Sequence, residues 1–151
     1  MQRLLMSGSL SDRLEVTVPA QAAGLGELRA AVDEFARRHG ADEDARDAIV
    51  LAINEACSNV VRHAYGPDGG PLHLKARARG EFIQVLVSDN GTPVADPTGP
   101  GAGLGLRIIK ELADDVDIEG PGRFGTKVRA TFSLKGARAR HQELPDLDDL
   151  N

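Results

Sequence analysis

The stretch "PLHLKARAR" at residues 71–79 alternates without a break: Leu72, Leu74, Ala76 and Ala78 fall on one side, His73, Lys75, Arg77 and Arg79 on the other. Such a strand belongs to a sheet with one face on a core and the other in water, because a slip of one residue would exchange the two sets. "RLEVTV" at 13–18 repeats the pattern with Leu14, Val16 and Val18 against Arg13, Glu15 and Thr17, and Pro19 ends it. In "TKVRATFSL" at 126–134, Thr126, Val128, Ala130, Phe132 and Leu134 share the inward parity. "EFIQVLVSDN" at 81–90 is apolar on both parities, which suits a more central strand, with Ile83, Val85, Val87 and Asp89 on one face. "VDIEG" at 116–120 supplies a fifth strand before the turn "PGRFG".

Helical periodicity fills the remainder. From 21 to 38, Leu25, Leu28, Ala31, Val32 and Phe35 form one apolar stripe, and Gly40 is the stop signal. A second helix is expected from 42 to 65, with Asp42, Glu43 and Asp44 in its first turn, where the helix dipole favours negative charge. Its stripe is Ile49, Ala52, Ile53, Ala56 and Val60. Residues 90–103, rich in Gly and Pro, read as a loop that feeds a third helix, "LGLRIIKELADD".

Helices that alternate with one-sided strands predict an α+β fold: a two-layer sandwich with the helices on one face of a mixed, mostly antiparallel sheet. Residues 1–11 read as a flexible N-terminus, 12–135 as one domain, and 136–151 as a disordered tail that ends in the acidic "ELPDLDDLN". At 151 residues there is room for one domain with a sizeable core. The net charge of −5, with signs interspersed, gives no basic stripe for nucleic-acid phosphates, and 3% aromatic content leaves no stacking platform. The lone Cys57 cannot form an intrachain disulfide and reads as a small buried residue; with no signal-peptide core or membrane span, the expected setting is cytoplasmic.

Three polar features intrude on the inward side. Asp89 continues the parity of Ile83, Val85 and Val87, and Thr126 that of Val128 and Ala130. On the second helix Glu55, Asn59 and Arg62 stand at i, i+4 and i+7, so they share a face, with about 6 Å of rise between the first two. Taken singly, each has an ordinary reading: Glu55 and Arg62 as a solvated face, Asp89 as the start of a turn with Asn90 and Gly91. Together they suit a cleft, since a carboxylate and a carboxamide one turn apart fit a general base beside a Mg²⁺ ligand. Glycines before a helix N-terminus, as in "GAGLGL", let backbone N–H groups approach phosphates. A Walker A loop fails because Leu106 and Arg107 follow Gly105, and the G-x-G-x-x-G pattern fails at Leu106.

Four stretches in order resemble the Bergerat-fold ATPases, the superfamily of gyrase, histidine kinases and MutL, and above all its anti-sigma-factor serine kinase branch. "NEACSNVVRHAY" is similar to the N box, "DNG" at 89–91 to the adenine box, "GAGLGLRIIKELADDV" to the ATP lid and following helix, and "GTKV" at 125–128 to the last motif, over roughly residues 12–134. The resemblance implies that Glu55 is the catalytic base and that Asn59 coordinates Mg²⁺ on the phosphates of ATP. It implies that Asp89 accepts the adenine amino hydrogen, with Thr126 supporting it through water, and that Gly91 lets the backbone approach the base. Gly101, Gly103, Leu104, Gly105 and Leu106 would wrap the phosphates. Arg62 and His63 are candidates near the phosphates or on the surface, Arg107 and Lys110 weaker ones, and His39 reads as a polar surface residue. Pro93 stands where many relatives have a second glycine, a departure that bears on the hinge geometry the resemblance implies for the lid. The implied function is a serine-protein kinase that sequesters a sigma factor and phosphorylates a STAS-type anti-sigma-factor antagonist, acting as a homodimer. The alternative is an ATP-binding module that sequesters its partner without phosphoryl transfer.

Overall fold

The computed structural model describes residues 11–66, 68–91, 104–122 and 125–136. In chain order the elements are β1 (Arg13–Pro19), α1 (Ala22–Arg38), α2 (Glu43–His63), β2 (Pro71–Arg79), β3 (Phe82–Asp89), α3 (Leu104–Leu112), β4 (Asp115–Gly122) and β5 (Gly125–Ser133). The strands form one sheet in the order β1-β2-β3-β5-β4. Every pairing is antiparallel, so the sheet is not mixed. The strand–helix–strand unit of β3, α3 and β4 does return the chain parallel to β3, but β5 inserts between the two and pairs antiparallel with each.

The inward parity is the expected one. Leu72, Leu74, Ala76, Ile83, Val85, Val87, Val128, Ala130 and Phe132 are all buried, as is the helical stripe of Ile49, Ala52, Ile53, Ala56 and Val60. Along α1, Ala36 is buried while Ala31 is only half-buried. Full burial of a side chain such as Leu28, Ile49 or Leu74 contributes about 1.5–3 kcal/mol. Cys57 lies in the same layer, 1% exposed, and burial pushes its thiol up to about 12.

Asp42 caps α2: its Oδ1 accepts from the Ala45 amide at 2.8 Å, and both carboxylate oxygens accept from the Gly136 amide at 3.0 Å. The chain beyond β5 is thus tied to the start of α2, and Gly136 is buried. The third helix, expected at about ten residues, runs for nine and ends at Leu112, before the Asp114 and Asp115 of the stretch. Asp114 has left it: its amide donates to the Thr131 carbonyl, and its Oδ2 accepts from the Ser133 amide at 2.7 Å. His39 is not a surface residue; it is half-buried, its ring 4.5 Å from that of Phe35, with Nε2 at 2.8 Å from the Ser11 carbonyl.

Candidate active site

Asp89 closes β3 on the inward parity and is 3% exposed, a carboxylic acid among apolar buried side chains. Its Oδ1 accepts from the Gly91 amide at 2.9 Å. The Asx-type turn that the sequence allowed is therefore formed, but it uses one oxygen only. Oδ2 is buried with no hydrogen-bond partner among the described residues. Burial pushes the carboxyl above the usual Asp range; the Gly91 and Thr126 amides and the His73 ring act in the opposite direction. A buried acceptor without a donor costs about 1–3 kcal/mol, which a ligand that brings a donor would recover.

The backbone around Asp89 leaves no slack. Gly125, at the start of β5, has φ +90°, and a Cβ there would lie 2.8 Å from Asp89 Oδ1. Only glycine satisfies both demands. Gly91 is buried against the C-terminal end of α2, where a Cβ would run into the Ala64 carbonyl. Thr126 follows Gly125 and is half-buried.

Helix α2 carries the second wall. Its apolar stripe packs on the sheet, which leaves Glu55 and Asn59 half-buried on the adjacent flank. Asn59 precedes Ala64 by five residues, about 7.5 Å of helix rise, so the carboxamide and the Asp89–Gly91 turn lie toward the same end of α2. Arg62 is exposed and donates to Asn59 Oδ1 at 3.1 Å. The His63 side chain lies outside the described residues.

The glycine-rich segment and the helix after it are described in part. Leu104, Gly105 and Leu106 form the first turn of α3, and Ile109, 1% exposed, anchors that helix in the core. Gly101, Gly103 and Pro93, like the side chains of Leu104 and Leu106, lie outside the described residues. Arg107 and Lys110 are exposed, as a solvated helix face would be.

Tyr65, Asn90 and His73 belong to the rim of this site and were not singled out by the sequence. The Tyr65 hydroxyl donates to the Pro71 carbonyl and accepts from the Asn90 amide at 2.8 Å. His73 lies 3.3 Å from Asn90 Nδ2 and 3.0 Å from Thr17 Oγ1. Among the described residues no group of three or more His, Cys, Asp or Glu side chains forms a metal site.

The histidine kinase-like ATPase domain family matches residues 18–132, a span that includes Glu55, Asn59, Asp89, Gly125 and Thr126. The chain belongs to the histidine kinase-like ATPase family. Within it the similarity lies with the serine-protein kinases: the chain is 30% identical over 149 residues to serine-protein kinase RsbW of Bacillus subtilis (strain 168), covering 87% of this chain and 91% of that one. Serine-protein kinase RsbW of Bacillus mycoides (strain KBAB4) is 29% identical over 123 residues, 71% of this chain and 77% of that one. The crystal structure of the RsbU and RsbW domains of Rv1364c from Mycobacterium tuberculosis shares the fold, with a TM-score of 0.65 at 24% identity. It is matched over 82% of this chain, which spans 32% of that larger protein. This histidine kinase-like ATPase is a serine kinase of the anti-sigma-factor branch, the branch that the four ordered motifs implied. Among the described residues no helix is long and apolar enough to cross a membrane.

Proposed function

We propose that this kinase sequesters a sigma factor and uses Mg-ATP to phosphorylate a serine of a STAS-type antagonist that competes for it. The observation that carries the nucleotide reading is Asp89 Oδ2, a buried acceptor with no hydrogen-bond partner among the described residues. The exocyclic amine of adenine is a donor of the right polarity for it, and Thr126 stands beside it to support a bridging water. Glu55 is the base, Asn59 the protein ligand to Mg²⁺, and Gly101, Gly103, Leu104, Gly105 and Leu106 the phosphate wrap.

In the transfer, the serine oxygen attacks the γ-phosphorus as the bond to the ADP oxygen breaks, and Glu55 takes the serine proton; ADP and phosphoserine leave. Bound Mg²⁺ would neutralise charge that builds up on the phosphate oxygens. The protein's share is positioning and charge stabilisation, the larger part of phosphoryl-transfer catalysis. The half-buried setting of Glu55 supports this role, because a carboxylate there keeps access to an incoming hydroxyl. The cytoplasm is the setting consistent with a sigma-factor partner, and a homodimer is the assembly we propose.

The test is incubation of the protein with ATP labelled at the γ-phosphate, Mg²⁺ and STAS-type antagonists from the same cell. Label on an antagonist serine is the expected result. ATP binding with no label on any cognate antagonist would replace the kinase reading with sequestration alone.

A further inference from the structure

We propose that Tyr65 is a positioning residue for base recognition, holding the Asp89 carboxylate in the orientation that separates a 6-amino from a 6-oxo purine; this rests on the nucleotide reading above. The phenol joins three segments that meet at Asp89. It follows the end of α2, donates to the carbonyl of Pro71 at the start of β2, and accepts from the amide of Asn90 at the end of β3. Asn90 is the residue after Asp89, so the Tyr65 hydroxyl restrains the peptide that carries the carboxylate's turn.

The ring is packed as closely as the hydroxyl is bonded. Gly70 lies against its edge, where a Cβ would sit 2.6 Å from Cδ1. One residue earlier, Ala64 meets Gly91. The Asp89–Gly91 turn is thus gripped at its middle by Tyr65 and at its end by Ala64. Burial pushes the Tyr65 phenol above its ordinary pKa, with the Asn90 amide opposing and the Asp89 charge adding to the rise, so the hydroxyl keeps the proton that it gives to Pro71.

Specificity at a buried carboxylate depends on orientation more than on charge. A rigid Oδ2 accepts from the 6-amine of ATP and faces a second acceptor, the 6-oxo group, in inosine triphosphate; a carboxylate free to rotate tolerates both. Loss of the hydroxyl therefore acts on the ratio of the two affinities. A residue that served only to hold the fold would lower stability and leave the ratio alone.

The experiment measures ATP and inosine triphosphate affinities for wild type, Tyr65→Phe and Asp89→Asn, with thermal melts of each. Tyr65→Phe is expected to lower the ATP preference about tenfold, the scale of one lost hydrogen bond, while it still melts cooperatively. An unchanged preference in Tyr65→Phe overturns the proposal. Asp89→Asn separates the two levels: if it too leaves the preference unchanged, the base-recognition reading fails and this inference fails with it; if it abolishes the preference and Tyr65→Phe does not, only the positioning role fails. Should Tyr65→Phe not fold, the chain's single tyrosine allows biosynthetic 3-fluorotyrosine to report on this residue alone. Its ¹⁹F line is expected to move differently with ATP and with inosine triphosphate, and a line that neither nucleotide moves overturns the proposal.

Discussion

The Gly91 amide donates to Oδ1 of Asp89 at 2.9 Å, while Oδ2 of the same carboxylate is buried without a partner among the described residues. One oxygen builds the turn, and the other is the acceptor we propose for the adenine amine. Because burial raises the carboxyl's pKa in the fold, the folded protein binds that proton more tightly than the unfolded chain. Stability then falls as pH rises through the window between the unfolded and folded pKa values, and the full penalty applies above it. Asp89→Asn is therefore expected to melt higher than wild type at pH 7 without nucleotide, with the gap closing below about pH 4, and to lose ATP affinity. Melting curves from pH 3 to 8, with and without ATP, check both halves.

Gly125 meets two constraints at once, a φ of +90° and a close approach to Asp89. Gly125→Ala should cost about 2 kcal/mol or more, since neither the dihedral nor the contact can relax alone. Urea denaturation of the two proteins gives the difference directly.

Cys57, 1% exposed with its thiol pushed up to about 12, should be inert to thiol reagents at pH 8 in the folded protein and fully reactive in denaturant. The folded state holds the thiol proton beyond the pH at which the unfolded chain releases it. Stability should accordingly decline from about pH 8.5 upward and show no contribution from this group at neutral pH. Reagent uptake timed with and without guanidinium is the measurement.

Asp42 caps α2 through the Ala45 amide and also holds Gly136. Asp42→Ala removes both ties and should cost about 1–2 kcal/mol. Hydrogen exchange should show the loss at the first turn of α2 and at Gly136, and little change at Val85 or Val87 in the sheet centre.

Much of this was legible because its cause is local. The period-two patterns at 72–78 and 126–134 fix which side chains face the helices; the strand at 81–90 is apolar on both parities, and Asp89 follows inward the face of Ile83, Val85 and Val87. The spacing of Glu55 and Asn59 is helix geometry. What escaped the sequence depends on contacts between distant segments. The insertion of β5 between β3 and β4 is a tertiary choice with no signature in either strand. His39 looked like a surface residue because its partners, Phe35 and the Ser11 carbonyl, include one from 28 residues away. The exact end of α3 within its stretch depends on β5, which takes up the Asp114 amide and carboxylate. Tyr65 gave no polar signal of its own; the terminal position in "RHAY", one residue past Ala64, was the only hint that it borders the site.

In the proposed transfer Glu55 is the base that takes the serine proton. The most direct measurement compares Glu55→Gln with wild type in single-turnover transfer from ATP to the antagonist serine, with ATP affinity determined alongside. Gln keeps the shape and removes the base, so transfer should slow by about a hundredfold or more while ATP binds nearly as before. Transfer at the wild-type rate by Glu55→Gln, with ATP bound normally, would contradict the assignment.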